Sequence, residues 1–394
     1  MSAPAAAQPS PAPVRVLYLA GSGRSGSTLI TTILGQLDGC FAAGELRYLW
    51  QRGVLDNRPC GCGEPFDACP VWQAVLADLS AAGPPAAAAV DPSTPAAGRS
   101  APTPGSCAPD AAGIARRLRS RLRMRDLPAL LRRAAGGRRA VAEHPDDLMI
   151  AGLYPAIARQ AAHARIGDGP VVVVDSSKLP PYGALLRDLP GIDLRVLHLV
   201  RDPRATAFSW RRRRGLDGAD DQKMMSRPPV WKAALLWRVW NAATSRLFES
   251  AGPERYLRIR YEDVVAEPAV QLRRIAAFAG LDPAGLPLDP EGRVTLAPTH
   301  SVAGNPGRHR TGAVAITDDA EWLQALSTRS YAVATAVTMP LSLRFGYPVR
   351  RPAGSPPPPD PPPPSSAASA ASPAPPAQRP ESASSSIAAS TRKG

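Results

Sequence analysis

An α/β three-layer sandwich around a central parallel sheet is the fold class the sequence predicts, on three observations. Short apolar runs alternate with stretches of helical period. The runs are nearly continuous in Val, Ile and Leu, as suits strands buried on both faces. The most charged turns, at Gly21, Asp175 and Arg201, follow directly on the ends of such runs, where parallel sheets bind ligands.

Taken in order, "VRVLYLA" (14–20) is the first strand, ending at Gly21. "STLITTILGQL" then carries Leu29, Ile33 and Leu37 four apart, and Ser25, Ser27 and Thr28 suit a helix start. "CFAAG" (40–44) is a short apolar strand, and "ELRYLW" opens a helix. "VVVVD" (171–175) is a further buried strand, followed by the turn "SSKLPP" and a helix through Leu186. "LRVLHLV" (194–200) is the next strand, with His198 as a core residue. Pro203 in "RDPRATAFSWRRR" suits a first helical turn. "WKAALLWRVWNAATSRLF" (231–248) is helical, with Trp231 and Trp237 packed in the core or lining a site. "RYLRIRYED" and "PAVQLRRIAAFAGL" complete the series as strand and helix.

Composition sets the boundaries. Residues 1–13 and the Pro/Ala/Ser-rich stretch 350–394 hold too little apolar surface to order themselves and are expected to be disordered tails. Residues 81–113 read as a flexible insertion within one domain, 14–349. No apolar run approaches the length of a membrane span, and the N-terminus lacks a secretory pattern, so a cytoplasmic protein is expected. The net charge of +14 points to an anionic partner: nucleic acid, a membrane surface or a small anion. Five cysteines in 394 residues do not make a disulfide scaffold.

Gly21-x-x-x-x-Gly26 has the outline of a phosphate-cradling loop, which makes the predicted sandwich P-loop-NTPase-like. Backbone N–H groups of residues 23 to 28 and the helix start would form an anion-binding concavity. A triphosphate-binding loop needs lysine where Ser27 stands. Arg24 brings a cation to the side of the loop instead, which suits one phosphate better than a triphosphate tail. The rival enzyme reading is a nucleotide-dependent kinase with Asp175 as its Mg²⁺-assisting acid. The rival from another class is a basic nucleic-acid- or membrane-surface-binding protein.

"GSGRSGSTLI" and "LHLVRDPRATAFSW" together resemble the two nucleotide-binding motifs of sulfotransferases that use 3′-phosphoadenosine 5′-phosphosulfate (PAPS). "YLRIRYEDVVAEP" is also similar to that family, and the resemblance spans most of 14–349. It implies that Gly23, Arg24, Ser25, Gly26, Ser27 and Thr28 hold the 5′-phosphosulfate. Arg201 and, eight residues on, Ser209 would clamp the 3′-phosphate. It implies adenosine 3′,5′-bisphosphate as product and no metal. "HSVAGNPGRHRTG" resembles the family's late loop around the nucleotide, carrying over Asn305 and Arg308.

For the chemistry, the resemblance implies Glu45 as general base. It lies 21 residues after Arg24, and Glu45-Leu46-Arg47 matches the Glu-x-Arg of the tyrosine-modifying members. Arg24 and Lys178 are the cations for the leaving oxygen. The acceptor is a hydroxyl, less readily an amine, of a small molecule, carbohydrate, lipid or peptide. Cys60, Cys62 and Cys69 stand close together in "CGCGEPFDACPVW", but no fourth zinc ligand is evident from the sequence. Residues 116–139 hold ten arginines and one acid, Asp126, on an amphipathic helix marked by Ile114, Leu118 and Leu122. Nucleic-acid binding and membrane-surface contact are two readings of this helix; no aromatic residue interleaves the arginines, so a stacking platform for single strands is not supported, and no nucleic-acid partner is expected.

Overall fold

The computed structural model describes residues 12–81, 110–121, 124–135, 145–163, 170–212, 228–317 and 319–351. Nearly all of the two tails and most of the 81–113 insertion lie outside the described residues. At the insertion's margins, one helix closes at Ala81 and another opens at Ala111.

Five strands, β1 (Val14–Ala20), β2 (Cys40–Gly44), β3 (Val172–Lys178), β4 (Ile192–Val200) and β5 (Tyr256–Arg260), pair in the order β2-β3-β1-β4-β5. Every pairing is parallel. The alternation of side chains along β1 builds the three layers. Val16, Tyr18 and Ala20 face a core shared with Tyr154 and Ile157 of helix Pro145–His163, Tyr182 of helix Pro180–Asp188, and Phe248. Leu17 and Leu19 face Ile30 and Ile33 of helix Ser27–Leu34 and Leu272 and Ile275 of helix Pro268–Ala279. Each of the Val, Leu, Ile and Phe side chains among these, taken fully out of water, contributes about 1.5–3 kcal/mol.

Chain direction decides where a ligand can sit. From β1 the chain crosses over β3 to reach β2, and from β4 it turns the other way to β5. The carboxyl ends of β1 and β4 therefore flank the switch point, where adjacent crossovers diverge and leave a crevice. Gly21 leaves β1 with φ +128°, and a Cβ on it would stand 2.5 Å from the Leu199 carbonyl oxygen.

Several elements depart from the sequence expectation. β3 runs on through Ser176, Ser177 and Lys178, where weak strand formers predicted a turn. The Asp175 carboxylate holds that extension by accepting from the Ser177 backbone N–H (2.8 Å) and hydroxyl (2.5 Å). "ELRYLW" opens not an α-helix but a 3₁₀ turn, Leu46–Tyr48, and a π-helical stretch, Leu49–Leu55. Among its described residues the arginine-rich segment carries the helices Ala111–Arg121 and Leu127–Ala135, with a 3₁₀ turn, Met124–Asp126, before the second, where Pro128 suits a helix start; Leu122 lies outside the described residues. Trp237 is buried, whereas Trp231 is 53% exposed. An antiparallel hairpin, Arg293–Leu296 with Gly312–Ala315, and the helix Thr328–Thr338 have no counterpart in the sequence reading.

His198 is a core residue as expected. Asn241 donates to the Trp237 carbonyl, so its Oδ1 accepts from His198 Nε2 (2.9 Å), and Nδ1 accepts from Tyr256 (2.7 Å). Burial pulls this imidazole down to about 4, so it stays neutral.

Gly21→Ala is expected to lower the free energy of unfolding by roughly 2 kcal/mol, because a positive φ and a backbone oxygen both oppose the new methyl group. Urea denaturation checks it.

Candidate active site at four strand ends

The carboxyl ends of β2, β3, β1 and β4 lie side by side, and each delivers one chemical element. Register ties them together: Gly44 of β2 pairs with Asp175 of β3, and Lys178 of β3 pairs with Ala20 of β1.

Glu45 follows β2. Its backbone N–H donates to the Val302 carbonyl (2.8 Å), which fixes the turn. Lys178 closes β3 in a left-handed conformation, φ +65°, and its Nζ donates to Glu45 Oε1 and to the Ser176 carbonyl, both at 2.7 Å. Arg52 stands 4.0 Å from the other carboxylate oxygen. Burial pushes the Glu45 carboxyl up, but Lys178, Arg52 and Arg47 together outweigh it and hold the group below the usual glutamate range. Glu45 is therefore an anion at neutral pH, with its basicity masked by an ammonium.

Beneath this pair sits Asp175, buried completely. Besides the two bonds from Ser177, its carboxylate accepts from Tyr154 (2.7 Å) and from the Leu46 backbone N–H. The Ser177 hydroxyl in turn accepts from the Arg47 N–H (3.0 Å). Asp175 thus locks the turn after β2 to the end of β3, and its oxygens are spent on that task rather than turned to a Mg²⁺ site. Its role was not evident in the sequence, where Tyr154 is remote and Leu46 contributes only backbone.

The loop after β1 turns through Arg24 (φ +70°) and Gly26 (φ +91°) into helix Ser27–Leu34. Two aromatic faces fit so tightly that side chains are excluded. A Cβ on Gly23 would lie 2.7 Å from the Trp210 ring, and one on Gly26 2.3 Å from the Tyr261 ring. Ser22 and Ser25 are buried here, and neither hydroxyl has a hydrogen-bond partner among the described residues. Ser27 is buried and Thr28 partly exposed on the first turn of the helix. Two orphaned donors, helix-start amides and glycines that admit close backbone approach are what an oxyanion group requires.

Arg201 follows β4 and meets this loop. Its Nη1 donates to the Arg24 carbonyl (3.3 Å) and its guanidinium lies 4.9 Å from the centre of the Tyr261 ring. Arg24 Nε donates to the Ser209 hydroxyl (3.2 Å), with the Trp210 ring 5.9 Å away. The two motifs are thus one surface. Asp202, the obvious ion partner for Arg201 by sequence, instead caps helix Pro203–Arg211 and grips Arg204. Arg201 pairs with Asp319, at 3.1 Å, which Arg212 also binds at 2.6 Å.

The turn Pro306–His309, which Asn305 precedes and which contains Arg308, packs against helix Ser27–Leu34. Asn305 caps a short turn by accepting from the Gly307 N–H (3.0 Å). Arg308 is buried, donating to the carbonyls of Ser301 and Pro59. A cavity of about 200 Å³ lies beside Arg52, lined also by Arg47, Tyr48, Arg58 and Arg119.

One prediction comes from Asp175, whose burial outweighs its hydrogen bonds and raises it to about 6. A carboxyl raised on folding gives stability that is full below its unfolded pKa and lost as pH rises through the folded one. The stability of the wild type relative to Asp175→Asn is therefore expected to fall by about 2–3 kcal/mol between about pH 4 and pH 7. Urea denaturation across that range checks it.

Comparison with known proteins identifies the family. The model of the "Sulfotransferase family" matches residues 17–284, well over half of the chain. Carbohydrate sulfotransferase 7 of Mus musculus is 30% identical over 169 residues, covering 32% of this chain and 34% of that protein. Carbohydrate sulfotransferase 2 of Homo sapiens is 35% identical over 144 residues, covering 28% and 26%. The matched stretch thus spans about a third or less of the length of these relatives. Among solved structures, the sulfotransferase domain from the Synechococcus PCC 7002 olefin synthase is similar, with a TM-score of 0.43, 19% identity, and coverage of 86% of this chain and 98% of that one. The expectation of a cytoplasmic protein is overturned here, because the carbohydrate sulfotransferases it resembles are Golgi-type enzymes. No helix among the described residues is long and apolar enough to cross a membrane, which by itself assigns no compartment. Between a glycine loop lacking the triphosphate lysine and a match over residues 17–284, the chain belongs to the sulfotransferase family.

Proposed function

We propose that this chain moves the sulfuryl group of PAPS to a hydroxyl of a carbohydrate acceptor, with Glu45 as general base. One observation carries the reading. A carboxylate, an ammonium, an anion-cradling loop and a guanidinium stand at the ends of four adjacent parallel strands, in that order. Such an array suits a donor with an anionic group at each end and an acceptor approaching from the Glu45 side.

The donor, when bound, supplies an activated sulfuryl group on a phosphate leaving group. The backbone amides of the loop and the Ser22 and Ser25 hydroxyls would hold its 5′-phosphosulfate. Arg201 would fork onto the 3′-phosphate, as a planar guanidinium does best. Arg24, bonded to Ser209, would stand between them. Lys178 would turn from Glu45 to the leaving oxygen, stabilising the charge that grows there. That turn also unmasks Glu45, whose carboxylate then takes the proton of the acceptor hydroxyl as its oxygen bonds to sulfur. One lysine would so couple donor binding to activation of the base.

The cavity beside Arg52 would take the acceptor. Its arginines offer many hydrogen-bond donors, a lining suited to an oxygen-rich, acidic sugar. The carbohydrate named in the relatives' descriptions points the same way.

Adenosine 3′,5′-bisphosphate without Mg²⁺ is expected to raise the melting temperature of the wild type but not of Arg201→Ala; a response only to ATP with Mg²⁺ would favour a kinase instead. Asp319→Asn should tighten binding of the same nucleotide several-fold, since a competing carboxylate leaves Arg201. Isothermal titration reads this directly. Glu45→Gln is expected to lower turnover of labelled PAPS about 10²-fold or more with nucleotide affinity nearly kept. Lys178→Ala should shift the acid limb of the pH–rate profile upward, because burial then governs the Glu45 carboxyl with less opposition.

A further inference from the structure

The fold supplies what the cysteine-rich segment lacked. His300, more than two hundred residues later in the chain, is carried against the three cysteines. The Sγ atoms of Cys60, Cys62 and Cys69 and a ring nitrogen of His300 all lie within 4.8 Å of one another. His300 Nδ1 is 3.4 Å from Cys69 Sγ and 3.9 Å from Cys60 Sγ, and Cys62 and Cys69 are 3.9 Å apart. None of the three cysteines is in a disulfide. Zinc bonds of about 2.3 Å to sulfur and 2.0–2.1 Å to nitrogen put the corners of a tetrahedron about 3.6–3.8 Å apart. The four donors already stand near those corners.

The surroundings are built to hold them there. Cys60 and Gly63 close a tight knuckle, with Gly63 N–H donating to the Cys60 carbonyl (2.9 Å) and Cys60 N–H to that of Glu64 (2.7 Å). Gly61 lets this knuckle press on the His300 segment, since a Cβ there would lie 2.5 Å from the Thr299 carbonyl oxygen and from Ser301 Oγ. Cys69 sits just before helix Pro70–Ala81, and Trp72 of that helix donates to the His300 carbonyl (2.8 Å). Arg308 spans the two ligand-bearing segments by bonding Pro59 and Ser301.

We infer that Cys60, Cys62, Cys69 and His300 form a structural zinc site. With four protein donors the site is closed, so the ion takes no part in chemistry. Its purpose is mechanical. Two residues beyond His300, Val302 accepts from the Glu45 N–H and donates to the Ala43 carbonyl, both at 2.8 Å. The ion would clamp residues 60–69 to the strap that fixes the turn after β2. Zinc binding stands independently of the proposed reaction, and only the effect on Glu45 rests on it.

The test is metal analysis of the full-length, tag-free chain purified under reducing conditions without chelator. About one zinc per chain is expected by mass spectrometry. Growth with cobalt in place of zinc should give the intense visible bands of a tetrahedral cobalt–thiolate centre. Cys69→Ser and His300→Ala should each lose or weaken the metal, while Cys40→Ala, a buried cysteine outside the cluster, keeps it. A folded, reduced wild type that neither carries zinc nor takes up zinc or cobalt overturns the proposal, even if every variant misfolds. So does a Cys62–Cys69 disulfide in peptide maps of the protein as purified. Loss of metal with unchanged turnover would leave the site standing and remove only its link to Glu45.

Discussion

Everything at the site depends on the pairing of β1 between β3 and β4. A parallel sheet orients all its carboxyl ends toward one edge, and register sets which residues arrive together. Ala20 opposite Lys178 puts the ammonium one residue from the glycine loop. Ala20 opposite His198 puts Arg201 within bonding distance of Arg24. A slip of one residue on either side would reverse every side chain and dismantle both arrangements. The fully buried Val16 to Leu19, packed against helices on both faces, make such a slip prohibitive.

The second feature is how charge is kept in a half-buried, strongly cationic place. Two of its cations are each held by an acid: Lys178 by Glu45, and Arg201 by Asp319. Pairing of this kind avoids leaving an unpartnered buried charge, which costs far more than a good pair gains. Arg204 differs. It is locked by Asp202, Tyr331 and the Pro348 carbonyl, and serves to tie the end of the described chain to helix Pro203–Arg211. Two arginines of the same short motif thus differ in their partners, Arg201 meeting the Arg24 carbonyl and Asp319 and Arg204 meeting Asp202, Tyr331 and the Pro348 carbonyl.

Asp175 shows the same division between chemistry and support. An acid at a strand end beside a glycine loop invites a metal-binding role, yet four donors from Ser177, Tyr154 and Leu46 consume it. Burial and hydrogen bonding make it a peg between two strand ends, on which the placement of Glu45 rests.

The sequence alone determined what is local and periodic. The apolar runs gave β1, β4 and the first part of β3, since continuous burial needs continuous Val, Ile and Leu. The glycine spacing, the missing lysine at Ser27 and the Arg201–Ser209 interval gave the resemblance to the sulfotransferase family, because each is set within a few residues of chain. Tertiary structure decided what depends on distant partners. Ser176 to Lys178 became strand because Asp175 and β1 bonded them. Arg308 gained the carbonyls of Ser301 and Pro59 as partners. Trp210 and Tyr261 became the walls of the loop, and Asp319 the partner of Arg201. His300 joined cysteines that lie early in the chain. In each case the deciding contact crosses a long stretch of sequence, and spacing within a motif carries no information about it.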